Sequence, residues 1–419
     1  MLFSFPVVIR LGATARRWLL ACGDGARALL PPAASLALLL QATAFSAAAQ
    51  IPANAPEEIP PAPQSPPVIA LVLPAPSTPF ARAAEAVRAG FFAARAAEGG
   101  LAVIQMIDVE DKRGAFDAAL AAARTRGAQL VVGPLTRAAA NSLAAGSRTA
   151  PPPLPVLTLA MPEDAAALPP HVLAFGISIE EEARALVHAV LAERSRRQAR
   201  APLPPGVSTS GRSSDGDPRY LVLAGKSALA RRVGAAFRDA LTAHGERVSL
   251  LTPEAFDQTL PTVLAPPGSA ARFDAVFFAL DAREASVTRA YLPRGLPVYA
   301  TSLINPGDVA AAAVANDLAG VRFVDMPWLL QPDHPAVMIY PPPNPPLAAE
   351  LQRLYALGID AYRIATAWLQ TGLATDARFE IDGVTGHLLV DRMRHGRVER
   401  TPLPGVFRGG GNSGVEIAP

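Results

Sequence analysis

From residue 68 onward the chain alternates short apolar runs with longer amphipathic stretches, and this alternation constrains the fold more than any other feature. Val68-Ile69-Ala70-Leu71-Val72-Leu73 is apolar at every position, as a strand covered on both faces must be. Residues 78–97 are Ala-rich, with Phe80, Ala84, Val87 and Phe91 at helical spacing. Strands over 101–107, 129–132 and 156–159 then alternate with helices over 114–126 and 136–145. That order predicts a parallel sheet with right-handed crossovers and helices on both faces. A second round gives strands at 219–224, 247–251, 273–279 and 297–300, with helices at 227–244, 254–264 and 282–291. Helices over 347–357 and 360–373 follow, then a hairpin of 386–391 with 397–401, turned by His395-Gly396. The predicted fold class is α/β: two doubly wound parallel-sheet lobes facing each other across a hinged cleft.

A length of 419 residues fits two lobes with extra segments better than one core. We expect a signal peptide at 1–49, a proline-rich tether at 50–67 and the first part of lobe 1 at 68–175. The first part of lobe 2 is expected at 176–303, interrupted by a disordered insertion at 195–218 that is poor in large apolar residues. The second part of lobe 1 is expected at 304–375, a hairpin on lobe 2 at 376–407 and a flexible tail at 408–419.

The leader reading rests on an order of residue types. A basic stretch ending at Arg27 precedes an apolar run over 28–45, and small residues end it at Ala47-Ala48-Ala49. This is the pattern of export and cleavage, which places the protein in the periplasm. An uncleaved anchor, or lipidation at Cys22 in Leu19-Leu20-Ala21-Cys22, are the alternatives. Cleavage after Ala49 leaves no cysteine, hence no disulfide, thiol nucleophile or thiolate metal site. The formal charge of +2 is mostly leader: without residues 1–49 there are 34 basic and 35 acidic residues. A balance of that kind excludes nucleic acid as the expected partner.

A search of the sequence for catalytic motifs comes back mostly empty. Gly225-Lys226-Ser227 ends like a P-loop, but Tyr220 stands where the cradle needs its first glycine. The histidines at 171, 188, 244, 334, 387 and 395 show no metal-ligand spacing, and no Gly-x-Ser-x-Gly elbow occurs. Glu180-Glu181-Glu182 opens a helix, where negative charge suits the dipole. We therefore expect no enzyme, no catalytic residue, no cofactor and no metal. In open α/β sheets ligands gather at the carboxyl ends of strands. The candidate cleft residues are accordingly Ser77, Thr78, Leu135, Thr136, Met161, Asp281 and Asn305. Each also reads as turn or capping chemistry.

Leu71-Val72-Leu73-Pro74 with Ala86-Val87-Arg88-Ala89-Gly90-Phe91, and Val131-Val132-Gly133-Pro134-Leu135, resemble the opening of the type I periplasmic-binding-protein fold. Three later motifs are more specific: Gly320-Val321-Arg322-Phe323-Val324-Asp325-Met326-Pro327-Trp328, Leu354-Tyr355-Ala356-Leu357-Gly358-Ile359-Asp360-Ala361-Tyr362, and Asp382-Gly383-Val384-Thr385-Gly386-His387-Leu388. They resemble the C-terminal domain of LppC/LpoA-type activators of penicillin-binding proteins. The resemblance implies a periplasmic regulator that contacts a bifunctional penicillin-binding protein and stimulates peptidoglycan cross-linking. The rival expectation is a solute-binding protein holding an amino acid or similar small polar ligand in its cleft.

Overall fold

The computed structural model describes residues 65–147, 149, 151–163, 168–200, 219–252, 273–393, 396–409 and 415–418. The expected leader, most of the tether, the helix at 254–264, His395 and residues 201–218 of the insertion lie outside the described residues.

Lobe 1 is built on a five-stranded parallel sheet in the order β2-β1-β3-β4-β5. These strands are β1 Val68–Pro74, β2 Val103–Val109, β3 Leu130–Val132, β4 Val156–Thr158 and β5 Val172–Ala174. Helices α1 (Ala81–Ala97), α2 (Ala115–Thr125) and α3 (Arg137–Gly146) connect the first four. Because β1 is interior and covered on both faces, Ile69 to Leu73 are fully buried, as its unbroken apolar run requires. Alternate side chains enter different cores: Ile69, Leu71 and Leu73 on one face, Ala70 and Val72 on the other.

Lobe 2 begins with α4 (Ile179–Arg200) and holds β6 Tyr220–Ala224, α5 (Ala228–Ala243), β7 Val248–Leu251, β8 Ala275–Ala279, α6 (Ala282–Arg289) and β9 Val298–Ala300. A short helix, α7 (Asp308–Val314), leads to β10 Arg322–Asp325. Strands β7-β6-β8-β9-β10 are parallel. The chain then returns to lobe 1 through α8 (Pro327–Leu330), α9 (Pro335–Met338) and the long α10 (Ala349–Gln370). An antiparallel sheet of β11 Arg378–Asp382, β12 His387–Asp391 and β13 Val398–Thr401 follows. Finally β14 Leu403–Phe407 pairs antiparallel with β10, and β15 Val415–Ile417 pairs antiparallel with β14, completing the seven-stranded sheet of lobe 2.

Several details differ from the sequence expectation. Residues 195–200 continue α4 instead of opening an insertion, held by Arg197 on Glu193 one turn back. Residues 304–325 belong to lobe 2, because β10 pairs with β9. The hairpin of β12 and β13 sits on lobe 1: Leu388, Val390 and Val398 share a core with α1 and α10, and Ala174 of β5 bridges to Arg397. Within 376–407, β14 alone joins the lobe 2 sheet, where Gly405 gives the Phe323 ring room. Residues 415–417 of the expected tail form β15. The helices expected at 347–357 and 360–373 are one helix, α10, running through Gly358.

Candidate functional site

Three of the seven cleft candidates meet. Thr78, Leu135 and Thr136 line a pocket of about 270 Å³ at the carboxyl ends of β1, β2 and β3, beside Lys112 and Arg113. Its walls are mixed, with Phe80 and Pro134 next to Glu110 and Asp111. The polar groups of the candidates are largely engaged: Thr78 donates to the Ala75 carbonyl at 2.8 Å, and Thr136 caps α3 by accepting from Ala139. Ser77 is exposed and donates to Glu110 at 3.0 Å. Met161 is buried against the Gly176 backbone. Asp281 caps α6, accepting from the Glu284 N–H at 2.8 Å.

Asn305 belongs to a different site, which the sequence reading missed. The chain passes between lobes at residues 175–178, at Met326 and at Pro402. A buried polar network fills this junction. Arg353 of α10 donates through Nε to Asp325 Oδ1 at 3.1 Å and through Nη2 to Oδ2 at 2.7 Å. The same Nη2 reaches the carbonyls of Ser302 and Asn305 at 3.0 and 2.9 Å. Asn305 donates its amide to Asp325 at 2.8 Å. The Ser302 N–H donates to Glu182 of α4, whose other oxygen accepts from Arg400 of β13 at 2.7 Å. Arg400 continues to the Thr385 carbonyl, and Thr385 donates both its N–H and its hydroxyl to Asp360. Asp360 also accepts from Val384 and from Arg363, which pairs with Glu98.

Burial sets the energetics of this chain of contacts. Asp325 and Asp360 are fully buried, so each carboxylate needs partners to stay in the fold. Burial lowers the affinity of the Arg353 guanidinium for its proton, but the charge of Asp325 and its hydrogen bonds more than compensate, and the pKa rises. At Asp360 burial dominates and raises the carboxyl pKa, although Arg363 and the bonds from Thr385 and Val384 pull it down. Asp325 and Asp360 each accept four hydrogen bonds, and both oxygens of Glu182 are engaged. The arrangement ties lobe 1 to lobe 2.

The three late motifs build this junction together. The first supplies Asp325, the second Asp360, and the third Val384 and Thr385, while the Trp328 N–H donates to the Val384 carbonyl at 3.0 Å. Isolated acids in apolar runs, Val324-Asp325-Met326 and Ile359-Asp360-Ala361, were the available signal, because a carboxylate there must be buried and paired. Glu182, read as a dipole residue, carried no such signal.

A second, shallower clasp spans the lobes. Glu180 of α4 pairs with Arg137 of α3 at 3.2 Å and with Arg232 of α5, whose Nε lies at 2.8 Å. Burial opposes its ionisation, yet the Arg232 hydrogen bond and the two arginine charges hold its pKa below 4.5.

The apparent P-loop end carries a carboxylate where a phosphate would sit: Lys226 N–H donates to Glu284 at 3.0 Å, and Ser227 caps α5. His188 and His244 make an edge contact at 5.4 Å between exposed rings. Among the described residues no group of three or more His, Cys, Asp or Glu could hold a metal, and no helix is long and apolar enough to cross a membrane.

Residues 40–206 and 255–401 match the profile of the family described as "LppC putative lipoprotein". The chain belongs to the LppC family. Among curated relatives, the penicillin-binding protein activator LpoA of Edwardsiella piscicida is 28% identical over 309 residues, 68% of this chain and 42% of that protein. LpoA of Edwardsiella ictaluri (strain 93-146) is 27% identical over 293 residues, 64% of this chain and 41% of that protein. The chain thus spans less than half the length of these LppC-family relatives. Among solved structures, a "putative branched-chain amino acid ABC transporter" from Chromobacterium violaceum ATCC 12472 is 34% identical, with TM-score 0.62 over 81% of this chain and 99% of that one. The C-domain of Haemophilus influenzae LpoA, described as a regulator of PBP1A, is 20% identical, with TM-score 0.60 over 84% of this chain and all of that domain. That likeness establishes the two-lobed binding-protein-like fold.

Proposed function

We propose that this chain is a non-catalytic periplasmic regulator of peptidoglycan synthesis that binds a penicillin-binding protein. The observation that carries the reading is the use of the family motifs. Asp325, Asp360 and Thr385 are spent on joining the lobes with buried ion pairs and hydrogen bonds, which suits a protein recognised by its outer shape. Curated relatives of the same family are named penicillin-binding protein activators.

The test is an affinity capture. The full chain, immobilised through a C-terminal tag, is challenged with detergent-solubilised membranes of the source cell, with fluorescent penicillin reporting bound synthase. Specific retention of a labelled band, followed by raised cross-linking activity of that synthase, is expected. No retention at low salt sinks the reading.

One observation favours a second reading, a solute receptor. The pocket at the carboxyl ends of β1, β2 and β3 holds Lys112 and Arg113, and a branched-chain amino acid ABC transporter is among the structural relatives. A receptor would gain roughly 2.7 kcal/mol of stability at a ligand concentration 100 times its Kd. A melting-temperature screen against leucine, isoleucine, valine and other free amino acids reads that gain directly.

A further inference from the structure

Strand β2 is an edge of the lobe 1 sheet and, among the described residues, pairs with β1 alone. Its sequence, Val103-Ile104-Gln105-Met106-Ile107-Asp108-Val109, holds no proline or lysine and a single charge, so the devices that protect a sheet edge are missing. Hydrogen bonding fixes which backbone groups are unused. At one end the Val103 N–H donates to the Pro67 carbonyl, and at the other the Val109 carbonyl accepts from Ala75, both at 2.8 Å. Odd-numbered residues therefore face β1, and alternation turns the N–H and C=O of Ile104, Met106 and Asp108 outward. Among the described residues no hydrogen bond reaches these six groups. The edge is also open: Val103 is 44% exposed, Asp108 is exposed, and Ile104 and Met106 are half-buried.

Helix α1 flanks this edge on one face. Arg88 donates to Asp108 at 2.8 Å near one end of β2, and Arg95 donates to the Ala102 carbonyl at 3.1 Å beside the other. Phe92 falls between them on the same side of the helix. Phe92, Ile104 and Met106 are each half-buried and pack against the lobe 1 core. They make an apolar strip that is half covered, with Met106 at the middle of the strand.

We propose that β2 pairs antiparallel with β2 of a second copy of this chain, about a two-fold axis at Met106. The register follows from the outward groups. An axis at Met106 sets Met106 against itself and Ile104 against Asp108 of the second copy, which uses all six groups of each strand. An axis at Gln105 would set Asp108 against Ala102, whose carbonyl already holds Arg95. An axis at Ile107 would set Ile104 against Glu110, whose carbonyl already holds the Lys112 N–H. Side chains agree with the central register: Val103 meets Val109, no like charges stand opposite each other, and the Asp108 end of one copy lies beside the Arg95 end of the other. A two-fold pairing covers both edges at once, so assembly stops at the dimer. One strand pair with flanking helix residues is small for a protein interface, so the dimer is weak and comes apart on dilution. None of this depends on the regulatory reading.

Analytical ultracentrifugation of the full chain over a wide range of concentration reads the monomer–dimer equilibrium. Met106→Pro removes an outward N–H from each copy but no bond of the β1 ladder, since proline is tolerated at that position of an edge strand. Met106→Lys places two like charges on the axis while keeping an apolar stem over the core. Each is expected to raise the dissociation constant of the dimer at least about tenfold, with circular dichroism unchanged. Register is read by disulfide formation in the full chain carrying Cys22→Ser, which removes its one cysteine. Residues opposite each other in a hydrogen-bonded antiparallel pair lie about 5.5 Å apart at Cα, within reach of a disulfide. Met106→Cys should cross-link with itself, whereas Ile104→Cys and Asp108→Cys should cross-link only when the two variants are mixed. A chain that stays monomeric at every concentration overturns the proposal, as does a dimer indifferent to both Met106→Pro and Met106→Lys. Cross-linking of Ile104→Cys with itself overturns the register and with it the two-fold at Met106.

Discussion

Arg353 and Asp325 illustrate how a buried charge is tolerated. The pair lies within the protein: Asp325 also accepts from the Asn305 amide and the Met326 N–H, and Arg353 Nη2 also reaches the carbonyls of Ser302 and Asn305. Removing one member leaves the other charged and unpaired, at a cost of about 3–5 kcal/mol. Arg353→Met should therefore lower the urea midpoint strongly, while the double replacement Arg353→Met/Asp325→Leu should recover much of that loss. A loss of unfolding free energy under about 1 kcal/mol for the single variant would count against the junction as a structural lock. Asp360 gives a pH signature. Burial raises its pKa above 3.8, so the folded chain binds this proton more tightly than the unfolded chain. Its contribution to stability is fully present below 3.8 and is lost as pH rises through the raised value. The stability of the wild type relative to Asp360→Asn should be most favourable in acid and decline as pH rises. Urea titrations from pH 3.5 upward measure it, and a difference growing with pH contradicts the assignment.

Helices α1 and α10 show what the sequence made legible at the scale of elements and what it hid. The amphipathic spacing of Val87 and Phe91 placed α1, and the apolar runs placed the interior strands, because burial on one or both faces writes itself into local periodicity. The boundary expected between two helices fell at Gly358-Ile359, and glycine weakens helices by about 1 kcal/mol relative to alanine. The reason for it is tertiary. A Cβ on Gly358 would run into the Val87 carbonyl, and one on Gly90 into the Tyr355 carbonyl. The two helices touch backbone to backbone at reciprocal glycines. The junction was hidden for a similar reason: Glu182, Asp325, Arg353 and Arg400 are neighbours only after folding, and no spacing announces them. Propensity alone says Gly358→Ala should stabilise. The clash with rigid backbone decides otherwise, and we expect a loss of about 1–3 kcal/mol, read as a lowered melting temperature with helical circular dichroism retained below the transition. An unchanged or raised melting temperature would mean that α10 can shift away from α1.

Across the whole molecule, the buried junction and the outer clasp act on different aspects of lobe geometry. The Arg353 and Glu182 contacts lie where the chain crosses between lobes, so they set how the lobes are joined; Glu180 touches Arg137 on one lobe and Arg232 on the other, so it bears on how far they separate. Arg137 is partly exposed, and exposed pairs contribute about 1 kcal/mol or less. That is too little to hold the fold together but enough to shift an open–closed ratio by up to about fivefold. Because Glu180 titrates below 4.5, the clasp is at full strength above that pH and is lost as pH falls through the lowered value. Arg137→Ala removes the lobe 1 contact while leaving Glu180 paired with Arg232. Small-angle X-ray scattering at neutral pH and low salt should give a larger radius of gyration for Arg137→Ala than for the wild type. Raising the salt should move the wild type towards the variant, because the clasp is screened, and should leave the variant unchanged. Identical scattering from both proteins at low salt would assign lobe separation to the buried junction alone, and the chain would then present one fixed surface.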